Sequence, residues 1–257
     1  FCNNKVTIKG QFSGDLKPDY IIPFKLDKKA AKKRYYSHLE GRKYLPKVFR
    51  KENHVDEIKG VYIPFWLFDA NVEASVQYAM TETDSWESGG YIYTKSTEHA
   101  IYREGEVAFA GIPCDCSKKM DDTLMEAIEP YHFRDAVPFR AAYLAGYVAD
   151  RYDVDMQDCI ARATKRAQAS TEKEMKYGLQ SKGTITVKSN HIQVKSATYH
   201  YALYPVWILN TTWRGKQYTF AMNGQTGRMV GDLPFSRKEF WKYVIPRGMI
   251  AGAGIYA

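Results

Sequence analysis

Three stretches of the chain alternate polar and apolar residues with the period of strands. In "GVYIPFWLFDANVEASVQYAM", residues 60–80, aromatic and β-branched residues dominate, and alternation from Val72 to Tyr78 predicts a pair of strands. "SGGYIYTKSTEHAIYREGEVAF" predicts two more, broken at Ser88–Gly90 and again near Glu104–Gly105. Strands return over residues 183–234, where "SNHI", "RGKQ" and "NGQTG" are the expected joints.

Elsewhere the period lengthens to that of a helix. Pro18 and Pro23 hold the start of "LKPDYIIPFKLDKKAAKKRYYSHL" extended, and Asp27 is the expected N-cap of a basic amphipathic helix. A short helical piece is expected at Lys47–Lys51. Residues 121–179 read as mostly helical: Tyr143, Leu144, Tyr147 and Val148 fall on one helical face. A longer helix should run from Asp155 towards Tyr177, closed by Gly178. In "SRKEFWKYVI", Ser236 and Glu239 form a capping box that opens a last helix.

The two halves rhyme. Pro64–Trp66 in "GVYIPFWLFDANVEASVQY" corresponds to Pro205–Trp207 in "YALYPVWILNTTWRGKQYTF", and a Pro-Phe pair precedes each of three tyrosine-bearing segments. This predicts an α+β fold of two related lobes, each a helix packed on an antiparallel sheet, with a C-terminal helix. The expected boundaries are residues 1–14 for a remnant of a zinc ribbon, 15–118 and 119–235 for the lobes, and 236–257 for the C-terminal helix leading to a membrane segment.

Composition alters this little. With 257 residues, 45% hydrophobic and 26% charged, the chain can bury one large core or two modest ones, and disorder is excluded. The net charge of +8 permits attraction to nucleic acid or an anionic membrane surface. Part of the excess is local, in "KLDKKAAKKR", where Lys28, Lys29, Lys32, Lys33 and Arg34 make a candidate basic patch; a solvated helix face is the plainer reading. The four cysteines form no disulfide ladder, so a reducing, cytoplasmic compartment is expected. No signal-peptide pattern opens the chain and no run reaches the length of a span. "FCNN" starts without methionine and "MIAGAGIYA" stops within an apolar run, so both ends are expected to be cut.

Little in the sequence points to a reaction. "YTFAMNGQTGRMVGDLP" has the glycines of a phosphate-gripping loop but lacks the following helix. Asn223-Gly224 and Gly227 instead suit a hairpin turn. Cys114 and Cys116 are too closely spaced for a zinc knuckle, whether or not His99 and His132 join them, and Cys159 reads as a small buried residue. "DRYDVDMQD" clusters aspartates but lacks the glycine and closing glutamate of a calcium loop, so caps at a helix junction explain it better. No catalytic or cofactor-binding residue stands out. Cys2, in "FCNNKVTIKG", has the form of the trailing half of a zinc knuckle, incomplete here, so no ordered zinc is expected in this chain. At the other end, Trp241, Lys242, Tyr243 and Arg247 stand before small apolar residues, as at a membrane entry from the cytoplasmic side.

"GVYIPFWLFD", "YLAGYVADRYDVD", "YPVWILN" and "YTFAMNGQTGRMVGDLP" together resemble the bacterial TFIIB-type zinc-ribbon-containing proteins, over about residues 12–240. The resemblance implies an amino-terminal zinc ribbon in the natural-length protein, with Cys2 its last ligand, and sometimes a hydrophobic carboxy-terminal segment. It implies no reaction. The leading expectation is a non-enzymatic binding or scaffold module at the inner membrane face, whose partner is a protein or an anionic membrane surface. Trp66, Tyr204 and Trp207 would line a groove between the lobes, unless they are core. The alternatives are nucleic-acid binding through the basic surface together with the missing zinc ribbon, and an enzyme of unrecognised type.

Overall fold

The computed structural model describes residues 17–179 and 183–245. Its strands are β1 (Tyr20–Ile21), β2 (Lys59–Ser88), β3 (Tyr91–Asp115), β4 (Val137–Pro138), β5 (Val148–Ala149), β6 (Thr184–Trp213), β7 (Lys216–Asn223) and β8 (Met229–Gly231). Its helices are α1 (Lys28–His38), α2 (Glu52–Val55), α3 (Asp122–Ala127), α4 (Met156–Lys176) and α5 (residues 237–245). All eight strands belong to one mixed sheet of order β3-β2-β6-β1-β4, to which β5 adds through β2, β7 through β6, and β8 through β7. β1 runs parallel to β6 and antiparallel to β4.

This overturns the expectation of two helix-on-sheet lobes. The molecule is dominated by its sheet, and the rhyming segments are neighbouring strands in it: β2 and β6, each 30 residues long. Only some of the expected breaks occur. Gly89 and Gly90 (φ 61° and 79°) turn the chain between β2 and β3, and Arg214-Gly215 (φ 53° and 75°) turns it between β6 and β7. Glu104–Gly105 and "SNHI" stay within strands. Across "SNHI", the inward positions shift from Ile185 to Ile192 and Val194 with the strand unbroken.

The expected helix through Tyr143–Val148 is also absent. Residues Ala141–Leu144 make a single 3-10 turn, after which Gly146 (φ 84°) reverses the backbone and Val148 joins β5. The helical spacing there places Leu144 in the core and Tyr147 against Phe24, with rings 4.1 Å apart, without any helix.

The chain divides into two compact units, and the boundary expected at residue 118 falls inside the first of them. That unit takes the described residues up to Phe65, Asp115–Asp153 and those from Tyr201 onward; the second takes Trp66–Cys114 and Val154–His200. In the first unit Asp27 caps α1, accepting from the Ala30 amide at 2.8 Å. Ala31, Tyr35 and Leu39, four apart, then enter a core with Phe49, Trp207 and Phe220. The Tyr35 hydroxyl donates to the Phe49 carbonyl at 3.0 Å, which satisfies its polar end.

The second unit is simpler. Along β2, Ala70, Val72, Ala74, Val76 and Tyr78 point one way, with the period of two that a half-covered strand requires. Along α4, Cys159, Ala163, Ala167, Thr171 and Met175 recur every fourth residue. Ala167 packs with Ala70 and Val72, and Met175 with Ala74, Val76 and Tyr78. The small side chains on both elements let the helix lie close to the strand.

Candidate functional site

The stretch from Tyr218 to Pro234 is β7, a tight connection and β8; Gly227 (φ 79°) serves the turn, while Gly224 and Gly231 leave room for Phe24 and Phe220. The side chains of that turn clamp another loop. Asn223, fully buried, donates to the carbonyls of Ile128 and Pro130 at 3.0 Å and accepts from the amides of Gln225 and Thr226 at 2.9 Å. Gln225 receives the His132 amide at 2.8 Å and returns a bond to the His132 carbonyl at 3.0 Å. It also donates to Asp135, whose carboxyl lies below its usual range because Lys25 hydrogen-bonds it at 2.7 Å. Sequence reasoning missed this clamp, since an Asn-Gly turn explains Asn223 without it.

Trp66, Tyr204 and Trp207 do not line a groove. All three are buried, and Trp66 belongs to the second unit while Tyr204 and Trp207 belong to the first. The Trp66 indole donates to the Val154 carbonyl at 3.3 Å, and the Trp207 indole to that of Leu26 at 3.0 Å. Tyr204 stacks on Phe65 and meets Tyr131 at a tilt, with ring centroids 4.7 and 4.5 Å away.

The basic patch is partly neutralised. Lys32 pairs with Asp56 and Lys28 donates to the Asp56 carbonyl at 2.7 Å, leaving Lys29, Lys33 and Arg34 exposed along α1. The aspartates of residues 150–158 serve in an ion pair and a backbone contact, with no side-chain cap bond at Asp155. Asp150 meets Lys119 at 2.6 Å, Asp153 accepts from the Lys118 amide at 2.6 Å, and Asp155 holds the N-cap position of α4. Cys114, Cys116 and Cys159 are buried, and Cys2 lies outside the described residues. Among the described residues no group of His, Cys, Asp and Glu is arranged to hold a metal ion, and no helix is long and apolar enough to cross a membrane.

Two hollows bear on chemistry. A cavity of about 170 Å³ in the second unit lies between α4 and the strands, walled by Phe68, Ile112, Met156, Ile160 and Val194, with Thr164 and Tyr199 its polar groups. None of its lining residues is Asp, Glu, His, Lys, Arg or Cys. A wider cleft of about 400 Å³ in the first unit runs past Asp121, Lys216, Thr219 and Asp232, but the Asp121 carboxylate caps α3 through the Leu124 amide at 2.9 Å.

The most exposed apolar group of the first unit is at α5. The Ser236 hydroxyl accepts from the Glu239 amide at 3.4 Å, one half of the expected capping box, while the Ser236 amide donates to the Tyr44 carbonyl at 2.9 Å and the Glu239 carboxylate pairs with Lys242 at 3.2 Å. The Tyr44 ring meets Phe235, Phe240 and Tyr243 edge-on, and Lys43 donates to the Tyr243 hydroxyl at 3.0 Å. With those contacts made, Phe235, Trp241 and Ile245 stand 58%, 55% and 52% exposed. Arg42, Lys43, Arg237, Lys238 and Lys242 surround them, all exposed. Arg42 and Lys43 also face a cleft of about 330 Å³ floored by Leu45, Leu233 and Phe235.

The fold thus defines a sheet-dominated protein, with a basic, aromatic end on its first unit. The uncharacterised protein YdjG of Bacillus subtilis (strain 168) is 33% identical to it over 227 residues, 88% of this chain and 67% of YdjG, and the chain belongs to that family. No family model matches the chain, and no solved structure does.

Proposed function

We propose that this chain is a non-enzymatic, cytoplasmic binding module docked on an anionic membrane surface through α5 and the 41–45 loop. The observation that carries the reading is the exposure of Phe235, Trp241 and Ile245 inside a ring of Arg and Lys. Large apolar side chains that stay in water after folding mark a contact surface. Tryptophan set among cations suits the boundary between headgroups and acyl chains. Each Lys or Arg near such a surface contributes about 1 kcal/mol, and the buried rings add an apolar term. The bonds from Tyr44 and Lys43 hold the helix in place beforehand, so little ordering remains to be done on contact.

The test is flotation of the chain with phosphatidylcholine vesicles, with and without phosphatidylserine. Binding should require phosphatidylserine, weaken with added salt, and fall about tenfold for each 1.4 kcal/mol removed by Trp241→Ser or Lys238→Glu/Lys242→Glu. Absence of vesicle binding sinks the proposal. So does tight duplex-DNA binding at physiological salt that is lost in Lys29→Glu/Lys33→Glu and untouched by the α5 changes, since nucleic acid would then be the anionic partner.

A further inference from the structure

The second unit carries an exposed surface of opposite charge. Ser75 bonds Glu104 at 3.1 Å, Gln77 bonds Tyr102 at 2.9 Å, and Ser85 bonds Thr94 at 3.1 Å. The Trp86 and Tyr93 rings lie 5.7 Å apart and 13° from parallel. These four pairs fit one register, so β2 and β3 form an unbroken antiparallel ribbon closed by the two-residue Gly89-Gly90 turn. In that register Trp86, Tyr91 and Tyr93 lie on the same face as Val76 and Tyr78, which α4 covers. The cover stops short of them. Arg103 donates to the Tyr177 carbonyl at 2.8 Å where α4 ends, and a side chain at Gly183, just ahead of β6, would collide with the Thr81 carbonyl. Beyond Glu82, among the described residues, the ribbon has neither third strand nor helix.

The uncovered part is aromatic and acidic. Trp86, Tyr91 and Tyr93 are 50%, 71% and 47% exposed. Glu82 and Asp84 share their face and Glu87 stands on the other face of the same ribbon end, against the single cation Lys95, in a chain whose net charge is +8. The outer edge of β3 pairs with no strand among the described residues and meets no proline from Tyr91 to Ile112. A bare edge of this length offers a row of backbone donors and acceptors.

We propose that this ribbon receives an extended, lysine- or arginine-bearing segment of another polypeptide, which adds alongside β3. The edge supplies main-chain hydrogen bonds, as in strand addition. The aromatic faces take the cations and their aliphatic stems, and the carboxylates steer the approach and reject acidic segments. The same carboxylates disfavour lipid headgroups and nucleic acid here, so the surface is independent of the membrane reading. A second copy of this chain is the rival occupant.

The experiment is fluorescence anisotropy of a labelled short peptide of alternating lysine and threonine with the full chain. Controls are its D-enantiomer and a glutamate-for-lysine version. The L-peptide should bind with micromolar affinity, and the two controls should not. Glu82→Gln/Asp84→Asn/Glu87→Gln, which disturbs no packing, and Trp86→Ser/Tyr93→Ser should each weaken binding about tenfold with the circular dichroism unchanged. Equal binding of the D-peptide, or variants that bind as well as the parent, overturns the proposal. Self-association in sedimentation velocity that these substitutions abolish also overturns it, in favour of a second copy.

Discussion

Asn223 offers the sharpest test of how the first unit is held together. Its side chain is fully buried and makes four hydrogen bonds: two donated to the Ile128 and Pro130 carbonyls, two accepted from the Gln225 and Thr226 amides. Asn223→Ala removes all four and leaves the backbone partners in a site with little water. At about 1 kcal/mol for each net bond, the expected loss is about 3–4 kcal/mol, a large share of a stability of about 5–15 kcal/mol. Urea unfolding followed by circular dichroism should show the midpoint falling by roughly 1 M or more at unchanged slope. Asn223→Asp separates donors from acceptors. It keeps the two accepted bonds but turns a carboxylate towards two carbonyls, so the folded state favours the protonated acid and its pKa rises. A raised folded pKa contributes stability below the unfolded value that is lost as pH rises through the folded one. The deficit of Asn223→Asp should therefore be smallest in acid and grow towards neutrality. Loss of less than about 0.5 kcal/mol in Asn223→Ala, the range of an ordinary surface change, would refute the clamp.

Two further outcomes follow from the same packing. A Cβ on Gly224 would stand 2.6 Å from Phe24 Cδ1 and 2.9 Å from Pro205 Cβ, and the Gly224 carbonyl already receives the Lys25 and Leu26 amides. Gly224→Ala should therefore cost about 1–3 kcal/mol as overpacking, read as a lowered Tm. Burial pushes the Tyr35 hydroxyl from its ordinary 10.0 up to about 12, and drives Tyr62, Tyr201 and Tyr204 upward as well. With folded pKa values raised, the stability these rings contribute is whole below pH 10 and drains away as pH climbs towards about 12. A late wave of tyrosinate absorbance should thus coincide with loss of circular dichroism; ionisation of every tyrosine in a still-folded chain would contradict it.

Local chemistry was legible in the sequence wherever one residue type has one geometric use. Asp27 caps α1, Asp155 and Gly178 bracket α4, Ser236 caps α5, and the Asn223 stretch is a turn. What misled was range. The inward Pro-x-Trp segments repeat because β2 and β6 are neighbouring strands of one sheet, and a rhyme between neighbours reads like one between domains. Strand length was hidden too, since Gly105 and "SNHI" look like punctuation until cross-strand partners hold them extended. The candidate groove failed for a related reason. Trp66, Tyr204 and Trp207 look like ligand aromatics in one dimension, but their neighbours Val154, Tyr131 and Leu26 come from distant sequence. Trp241, Lys242 and Tyr243 drew notice in the sequence because they are adjacent in the chain, whereas Arg42 and Lys43 join them only through the fold; the ribbon was not readable, because its aromatic face exists only once β2 and β3 pair.

Folding hides most of the aromatic surface of this tyrosine-rich chain, so what it leaves out is informative. Of five tryptophans the two exposed ones, Trp86 and Trp241, sit in the two surfaces proposed to bind, and these have opposite charge. An exposed indole surrounded by charges of one sign resists random association and selects a partner of the other sign. The carboxylates beside Trp86 and the cations beside Trp241 would then keep each partner from the other's site. This predicts separable behaviour. Glu82→Gln/Asp84→Asn/Glu87→Gln should leave phosphatidylserine-vesicle binding at its parental level, and Lys238→Glu/Lys242→Glu should leave peptide affinity unchanged. A variant of either surface that abolished both activities would show that charge does not sort the partners, and that the two exposed indoles serve one shared contact.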